Sequence, residues 1–269
     1  MTWEEAVHWL REQPDQQFLV KACYYDDPLV DAAKRYYIDP EWMAIRQLIP
    51  SKHGDALDVG GGRGISSYAL AMDGWNVTAL EPNPGMLVGA GAIRQLVDET
   101  GIRINVVEEW GEQLPFPDES FDLLHARQVL HHAHDLNIFC KELFRVLKPG
   151  GMLIATREHV IDKPQDLQVF LDAHPLHRFY GGENAFTLKE YKKALLAAGF
   201  ELSRVFSPWE TPINYFPGTF SDIQNTISEK LHWPWAGLIP NILVNFLSRR
   251  LNNPGRLYTF IAEKRLVRF

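Results

Sequence analysis

The stretch from Leu57 to Gly64, LDVGGGRG, decides how the chain folds. It completes the apolar run Asp55–Val59, which reads as a short buried strand because it is too brief for a helix and ends in turn residues. The glycines then let the chain turn sharply and let a ligand approach the backbone, since a residue without Cβ adopts positive φ freely. A helical run, Ile65–Met72, follows at once, so its first N–H groups lack intrahelical partners and face whatever sits above the turn. Gly60, Gly62 and Gly64 are spaced GxGxG, whereas a dinucleotide fingerprint is GxGxxG; the sixth position here is Ile65. The loop is therefore Rossmann-like but poorly suited to packing over a pyrophosphate. Taken alone, it also reads as a tight strand-to-helix turn.

Working outward, Trp75–Leu80 reads as a second strand, Met86–Thr100 as a helix and Ile102–Val107 as a third strand. Phe121–His125 is a fourth strand, followed by a helix over Leu136–Leu147. The fifth, Met152–Thr156, comes after the turn Pro149-Gly150-Gly151. Strands alternating with helices at this spacing imply βαβ units, a mostly parallel sheet and right-handed crossovers that put helices on both faces. Thr187 and Glu190 form a capping box that starts a helix running to Ala198, with Gly199 as its C-cap. Phe200–Phe206 and Leu257–Glu263 supply the last two strands. Upstream of the glycine loop, Trp3, Ala6, Val7, Trp9 and Leu10 lie close to helical spacing, and a second helical stretch over 28–49 is broken near Asp39-Pro40.

The 269 residues suffice for one large α/β domain with insertions, and 46% hydrophobic with 23% charged residues is the composition of a globular enzyme. A net charge of -7 argues against a nucleic-acid partner, which needs clustered positive charge. Cys23 and Cys140, far apart, fit reduced structural cysteines. The N-terminal run is acidic and polar, unlike a signal peptide, and a cytoplasmic location is expected. Ala236–Leu247 is the most apolar C-terminal run but is too short to span a bilayer. With Arg249 and Arg250 behind it, it reads as a buried helix, peripheral contact with a membrane or lipid-linked acceptor being the alternative.

Glu81 ends the second strand about twenty residues past the loop, where a doubly wound fold places an acid against a ribose diol. With this pair in place the chain resembles the class I S-adenosylmethionine-dependent methyltransferases, of the type 11 subgroup. The resemblance runs over Ala56–Gly151 and rests on four motifs in order: LDVGGGRG, EPNPGML, LPFPDESFDLLHARQVLHHAHD and RVLKPGG. It implies S-adenosylmethionine as cofactor, S-adenosylhomocysteine as product, and a seven-stranded doubly wound sheet whose last strand is antiparallel. It further implies that Asp58, Gly60, Gly61, Gly62 and Gly64 line the methionine end of the cofactor and that Glu81 takes the ribose hydroxyls. Pro82 and Met86 would flank the adenine, and Ala126 and Arg127 would face the sulfonium. Such enzymes usually carry an Asp near the adenine where this chain has Trp110. Either Trp110 stacks on the base or Glu109 supplies the acceptor.

Beyond that core, an N-terminal helical segment (1–50), including Tyr24, is expected to close over the methionine end as a lid. The cofactor-binding core would comprise 51–207 and 257–269, and an aromatic, helical insertion (208–256) would precede the last strand. The segment 158–185 reads as a binding loop over the strand ends, with Tyr180, Glu183 and Asn184 as substrate contacts. Trp209 and Tyr215 of the insertion, which also holds Phe216, Phe220, Trp233, Trp235 and Phe246, are further acceptor candidates; a small satellite core is the competing reading. Base candidates for a hydroxyl acceptor are His132, His159, His174, His177 and Glu158. His131, His132, His134 and Asp135 are read as a local structural run, and no metal site is expected there.

The expected activity is methyl transfer to a small molecule, favouring oxygen, with a sugar or surface-polysaccharide precursor as the preferred acceptor. Carbon methylation of a quinone or lipid ring is the nearest rival, and a non-catalytic cofactor-binding scaffold is the reading from another class. A dinucleotide-dependent oxidoreductase is disfavoured by the GxGxG spacing. The chain would act as a monomer or homodimer.

Overall fold

The computed structural model describes residues 1–266 except Lys52, Trp233, Leu251 and Asn252, so Trp233 lies outside the described residues. Four helices lead into the sheet: α1 (Trp3–Glu12), α2 (Gln17–Ala22), α3 (Leu29–Ile38) and α4 (Pro40–Arg46). Thr2 and Glu5 close a capping box on α1, and Pro40 sits at the first turn of α4, where its missing N–H costs nothing. The core then alternates β1 (Asp55–Val59), α5 (Ile65–Met72), β2 (Asn76–Leu80), α6 (Ala90–Thr100), β3 (Ile104–Val107), β4 (Phe121–Arg127) and α7 (Leu136–Val146). It continues through β5 (Leu147–Ile161), α8 (Leu167–Ala173), α9 (His177–Tyr180), β6 (Phe186–Thr187), α10 (Leu188–Ala198) and β7 (Glu201–Phe206). Three helices, α11 (Pro212–Tyr215), α12 (Phe220–Leu231) and α13 (Asn241–Arg250), precede the last strand, β8 (Arg256–Glu263).

The strand order is β3-β2-β1-β4-β5-β8-β7, with β1 to β5 parallel and β8 antiparallel to both neighbours. This is the expected doubly wound sheet, with the two-residue β6 added beside the end of β5. The order reverses between β1 and β4, and their carboxyl ends open the crevice where such sheets bind ligands. One face is covered by α7 and α10 around Leu143, Tyr191 and Phe260, the other by α3, α4 and α5 around Tyr36, Trp42 and Leu70. Cys140 packs in the first of these cores, and both cysteines are free. The Thr187–Glu190 capping box is present, and Gly199 closes α10 at φ 108°.

Three local expectations change. The helix expected from Met86 begins at Ala90, because Asn83 and Gly85 turn the preceding chain into a loop that accepts the first helical N–H groups. The fifth strand is 15 residues long, since β8 pairs with it on both sides of a bulge at Thr156–Arg157, where Arg157 has φ 59°. The apolar C-terminal run does not form a buried helix: α13 buries Val244 and Ser248, while Ile242 is 84% exposed and Leu238 and Phe246 also face outward. No helix among the described residues is long and apolar enough to cross a membrane.

Candidate active site

At the end of β1 the chain turns with Gly60, Gly62 and Gly64 all in the left-handed region. A side chain at Gly60 would place its Cβ 2.6 Å from Val129 Cγ2, whereas one at Gly62 would meet only open space, so there φ alone demands glycine. Gly61 N–H donates to the Leu80 carbonyl and Gly64 N–H to that of Gly61, which ties the loop to β2. Glu81, at the end of β2, accepts from Gly62 N–H at 2.8 Å and from Asn83 N–H at 3.0 Å. Burial raises its carboxyl above the ordinary range, and those two N–H donors pull back only part of the shift. The result is a buried acceptor beside an open-faced glycine, which fits a diol-bearing ligand. Met86 (64% exposed) and Trp110 (60% exposed) stand uncovered after β2 and β3, while Pro82 and Glu109 are half-buried nearby in sequence.

Four residues expected at the cofactor, Tyr24, Asp58, Ala126 and Arg127, are buried or half-buried in this structure. Asp58 is 1% exposed, and its carboxylate is taken by the hydroxyls of Ser66 (2.7 Å) and Ser67 (2.5 Å) and by His125 Nδ1 at 2.8 Å. It braces the loop through α5 and β4. Ala126 is fully buried in the core between its partners Val59 and Ala155. Arg127 donates to both oxygens of the fully buried Glu41, at 2.6 and 3.1 Å, and lies 5.6 Å from the ring centres of Tyr24 and Tyr36. Burial works against the Glu41 carboxylate, but the guanidinium groups of Arg127 and Arg157 hold its pKa below the usual range. Tyr24 is itself buried, with its hydroxyl on Asp39 at 2.7 Å.

The N-terminal segment docks on the glycine loop through Arg63, whose guanidinium donates to the carbonyls of Tyr24 and Asp26 and pairs with Asp27. Glu4 of α1 accepts from the N–H groups of Leu87 and Val88 in the loop after β2. Arg63, Glu41, His125 and His131 were not in the expected site. Two left a signal: Arg63 is a charge inside the glycine turn, and His125 and Asp58 are polar residues in apolar strands that prove to be register partners. Glu41 left none.

At the carboxyl ends of β4 and β5 the structure gathers a histidine and carboxylate wall. Glu158 is fully buried and accepts from the backbone N–H groups of Val129, Leu130 and His131 and from His131 Nδ1 at 2.7 Å. Four donors saturate it, so it positions the turn after β4 instead of acting as a base. Burial opposes the His131 imidazolium, yet Glu158 and Glu183 outweigh it and lift its pKa to about 9. Burial, with charged His131 beside it, pushes His159 down to about 3. Glu183 receives the Tyr180 hydroxyl and lies 3.8 Å from His174 Nε2. His132 is exposed, and its Nδ1 meets the Gly182 carbonyl at 3.0 Å. A carbonyl only accepts, so this bond places the proton on Nδ1 and leaves the Nε2 lone pair free. His177 has a buried Nδ1 without a partner, and Asn184 lies half-buried next to Glu183. Trp209 and Tyr215 pack with Ile223, Ile227, Ile239 and Val244 in the satellite core of the insertion.

Residues 57–155 match the methyltransferase-domain family. The methyltransferase phqN of Penicillium fellutanum is 32% identical over 78% of this chain and 68% of its own length. The chain belongs to the class I S-adenosylmethionine-dependent methyltransferases. The ubiquinone biosynthesis O-methyltransferase of Azorhizobium caulinodans is 29% identical over 64% of this methyltransferase and 73% of its own length. An S-adenosylmethionine-dependent methyltransferase from Mesorhizobium loti shares the fold, with TM-score 0.57, 18% identity and coverage of 85% of this chain and 99% of its own. S-adenosylmethionine is therefore the cofactor of this methyltransferase.

Proposed function

We propose that this methyltransferase transfers a methyl group to an oxygen of a hydroxylated small molecule bound against the histidine wall. The observation that carries the reading is exposed His132, whose free Nε2 stands at the carboxyl end of β4 while Gly182 fixes its tautomer. When bound, S-adenosylmethionine supplies a methyl already activated on a sulfonium, so the protein's task is alignment and proton removal. Glu81, oriented by Gly62 N–H, would hold the ribose, and Trp110 and Met86 would flank the adenine. Arg63 and Glu4 keep the N-terminal segment closed over the loop as a lid. His132 Nε2 would take the proton from the acceptor hydroxyl, leaving that oxygen free to receive the methyl that the bound cofactor would supply. The name of the Azorhizobium relative, an O-methyltransferase, supports oxygen as the acceptor atom.

The exposed apolar side chains of Ile242 and Phe246 on α13, with Leu238 just before it, favour a second reading in which a lipid or quinone ring is methylated on carbon. Incubation with methyl-labelled S-adenosylmethionine and a panel of sugar, phenol and quinone acceptors separates the two through the linkage in the product. An O-methyl product whose rate falls roughly 100-fold in His132→Ala supports the proposal. A C-methyl product, or an O-methyl product formed equally fast by His132→Ala, overturns it. Cofactor binding without turnover on any acceptor would make the chain a scaffold.

A further inference from the structure

The sequence presents His131, His132 and His134 as one run, but the fold disperses it. His134 is 82% exposed beside Glu112, and Asp135 caps α7 through the N–H groups of Asn137 and Ile138. His131 turns inward instead and meets residues from two other segments. His131, His159 of β5 and Glu183 from the loop before β6 bring one ligand-type atom each within 4.8 Å of one another. We infer that these three side chains form a binding site for a divalent transition metal of the zinc class.

Each member is held by a second partner that leaves one donor atom facing the others. His131 Nδ1 is bonded to Glu158 at 2.7 Å, so its Nε2 points to Glu183 Oε2 at 3.5 Å. His159 Nδ1 meets the Gly255 carbonyl at 2.9 Å, which assigns the proton to Nδ1 and the lone pair to Nε2. Histidines oriented by a carboxylate or a carbonyl on the far nitrogen are the usual supports of metal sites. Glu183 is 8% exposed; the Tyr180 hydroxyl occupies its Oε1, and Oε2 is buried with no hydrogen-bond partner. A buried, unbonded carboxylate oxygen is costly unless a cation or donor completes it.

Charge supports the same reading. Glu158 and Glu183 are both buried, and their ion pairs among the described residues are with histidines alone. A divalent ion would balance both carboxylates. Two imidazole nitrogens and one carboxylate suit zinc, with a fourth position left open. The edge of a tetrahedron with bonds of about 2.1 Å is about 3.4 Å. The His131–Glu183 separation already matches it, and half-exposed His159 has up to about 1.4 Å left to close.

The test uses the whole chain stripped with chelator, then titrated with Zn2+ against a chromophoric competitor and, separately, with Co2+. The expected result is about one Zn2+ per chain, a tetrahedral cobalt spectrum and a rise in melting temperature on adding zinc. Glu183→Gln and His159→Ala should each weaken zinc binding roughly 100-fold or more, while His134→Ala leaves it unchanged. Wild-type protein that takes up no zinc, or gives an octahedral cobalt spectrum, overturns the inference without any variant. So does tight binding that survives Glu183→Gln and His159→Ala.

Discussion

The residues that matter most at the cofactor end differ in how they meet water. Glu81 is buried with its carboxyl raised by desolvation, so folding favours its protonated form. The sign follows: the cofactor-free protein gains stability as pH falls through the raised pKa and loses it as pH rises. Urea titrations across that window should show Glu81→Gln gaining on wild type as pH increases, and a constant difference would refute this account. Calorimetry should show Glu81→Ala binding S-adenosylmethionine roughly 100-fold more weakly, the loss of two charged hydrogen bonds of about 1.5 kcal/mol each. Asp58 is buried as well, and its carboxyl group meets Ser66, Ser67 and His125. Asp58→Ala leaves His125 and two serine hydroxyls unpaired and should cost about 3–5 kcal/mol in denaturant unfolding. A cost below about 1 kcal/mol would mean the pair is solvated in solution.

Between elements, buried charge couples segments that the chain order separates. Glu41 on α4 and Arg127 on β4 lie 86 positions apart and bind in a bidentate pair. Arg157, at the bulge of β5, reaches the carbonyls of Ile213 and Phe216 and so ties α11 to the sheet. The contact between Arg63 and residues 24–27 is the joint between the N-terminal helices and the glycine loop. Hydrogen bonds from a charged donor contribute about 1.5–3 kcal/mol, so Arg63→Ala should raise hydrogen exchange over 24–27 roughly tenfold or more. Unchanged protection in that segment would show that packing of α1 and α3, and not Arg63, holds it down.

On the scale of the molecule, the sheet, its two flanking cores and the satellite core of the insertion are distinct packing units. The insertion buries Val244 completely while Ile242, two residues earlier, stays 84% exposed. Val244→Ala should therefore cost about 1–2 kcal/mol through lost packing, whereas Ile242→Asp should change stability by less than about 0.5 kcal/mol. Equal losses from the two, measured by thermal unfolding, would place the outer face of α13 against another surface in solution.

The alternation of strands and helices, the glycine turn, Glu81 at the end of β2 and the Thr187–Glu190 cap were all legible in the sequence. Each is a local pattern whose cause lies within a few residues: a period of 2 or 3.6, a φ that only glycine adopts easily, a side chain that reaches its own backbone. Tertiary structure alone decided which charges were buried and with whom. Nothing near Glu41 foretells Arg127, and a run of histidines does not say that His131 turns inward while His134 faces water. The length of β5 likewise waited on β8, the strand that pairs along it from about a hundred residues away. Burial and ion pairing are sums over neighbours from the whole chain, and a neighbour brought close by folding leaves no mark in local periodicity.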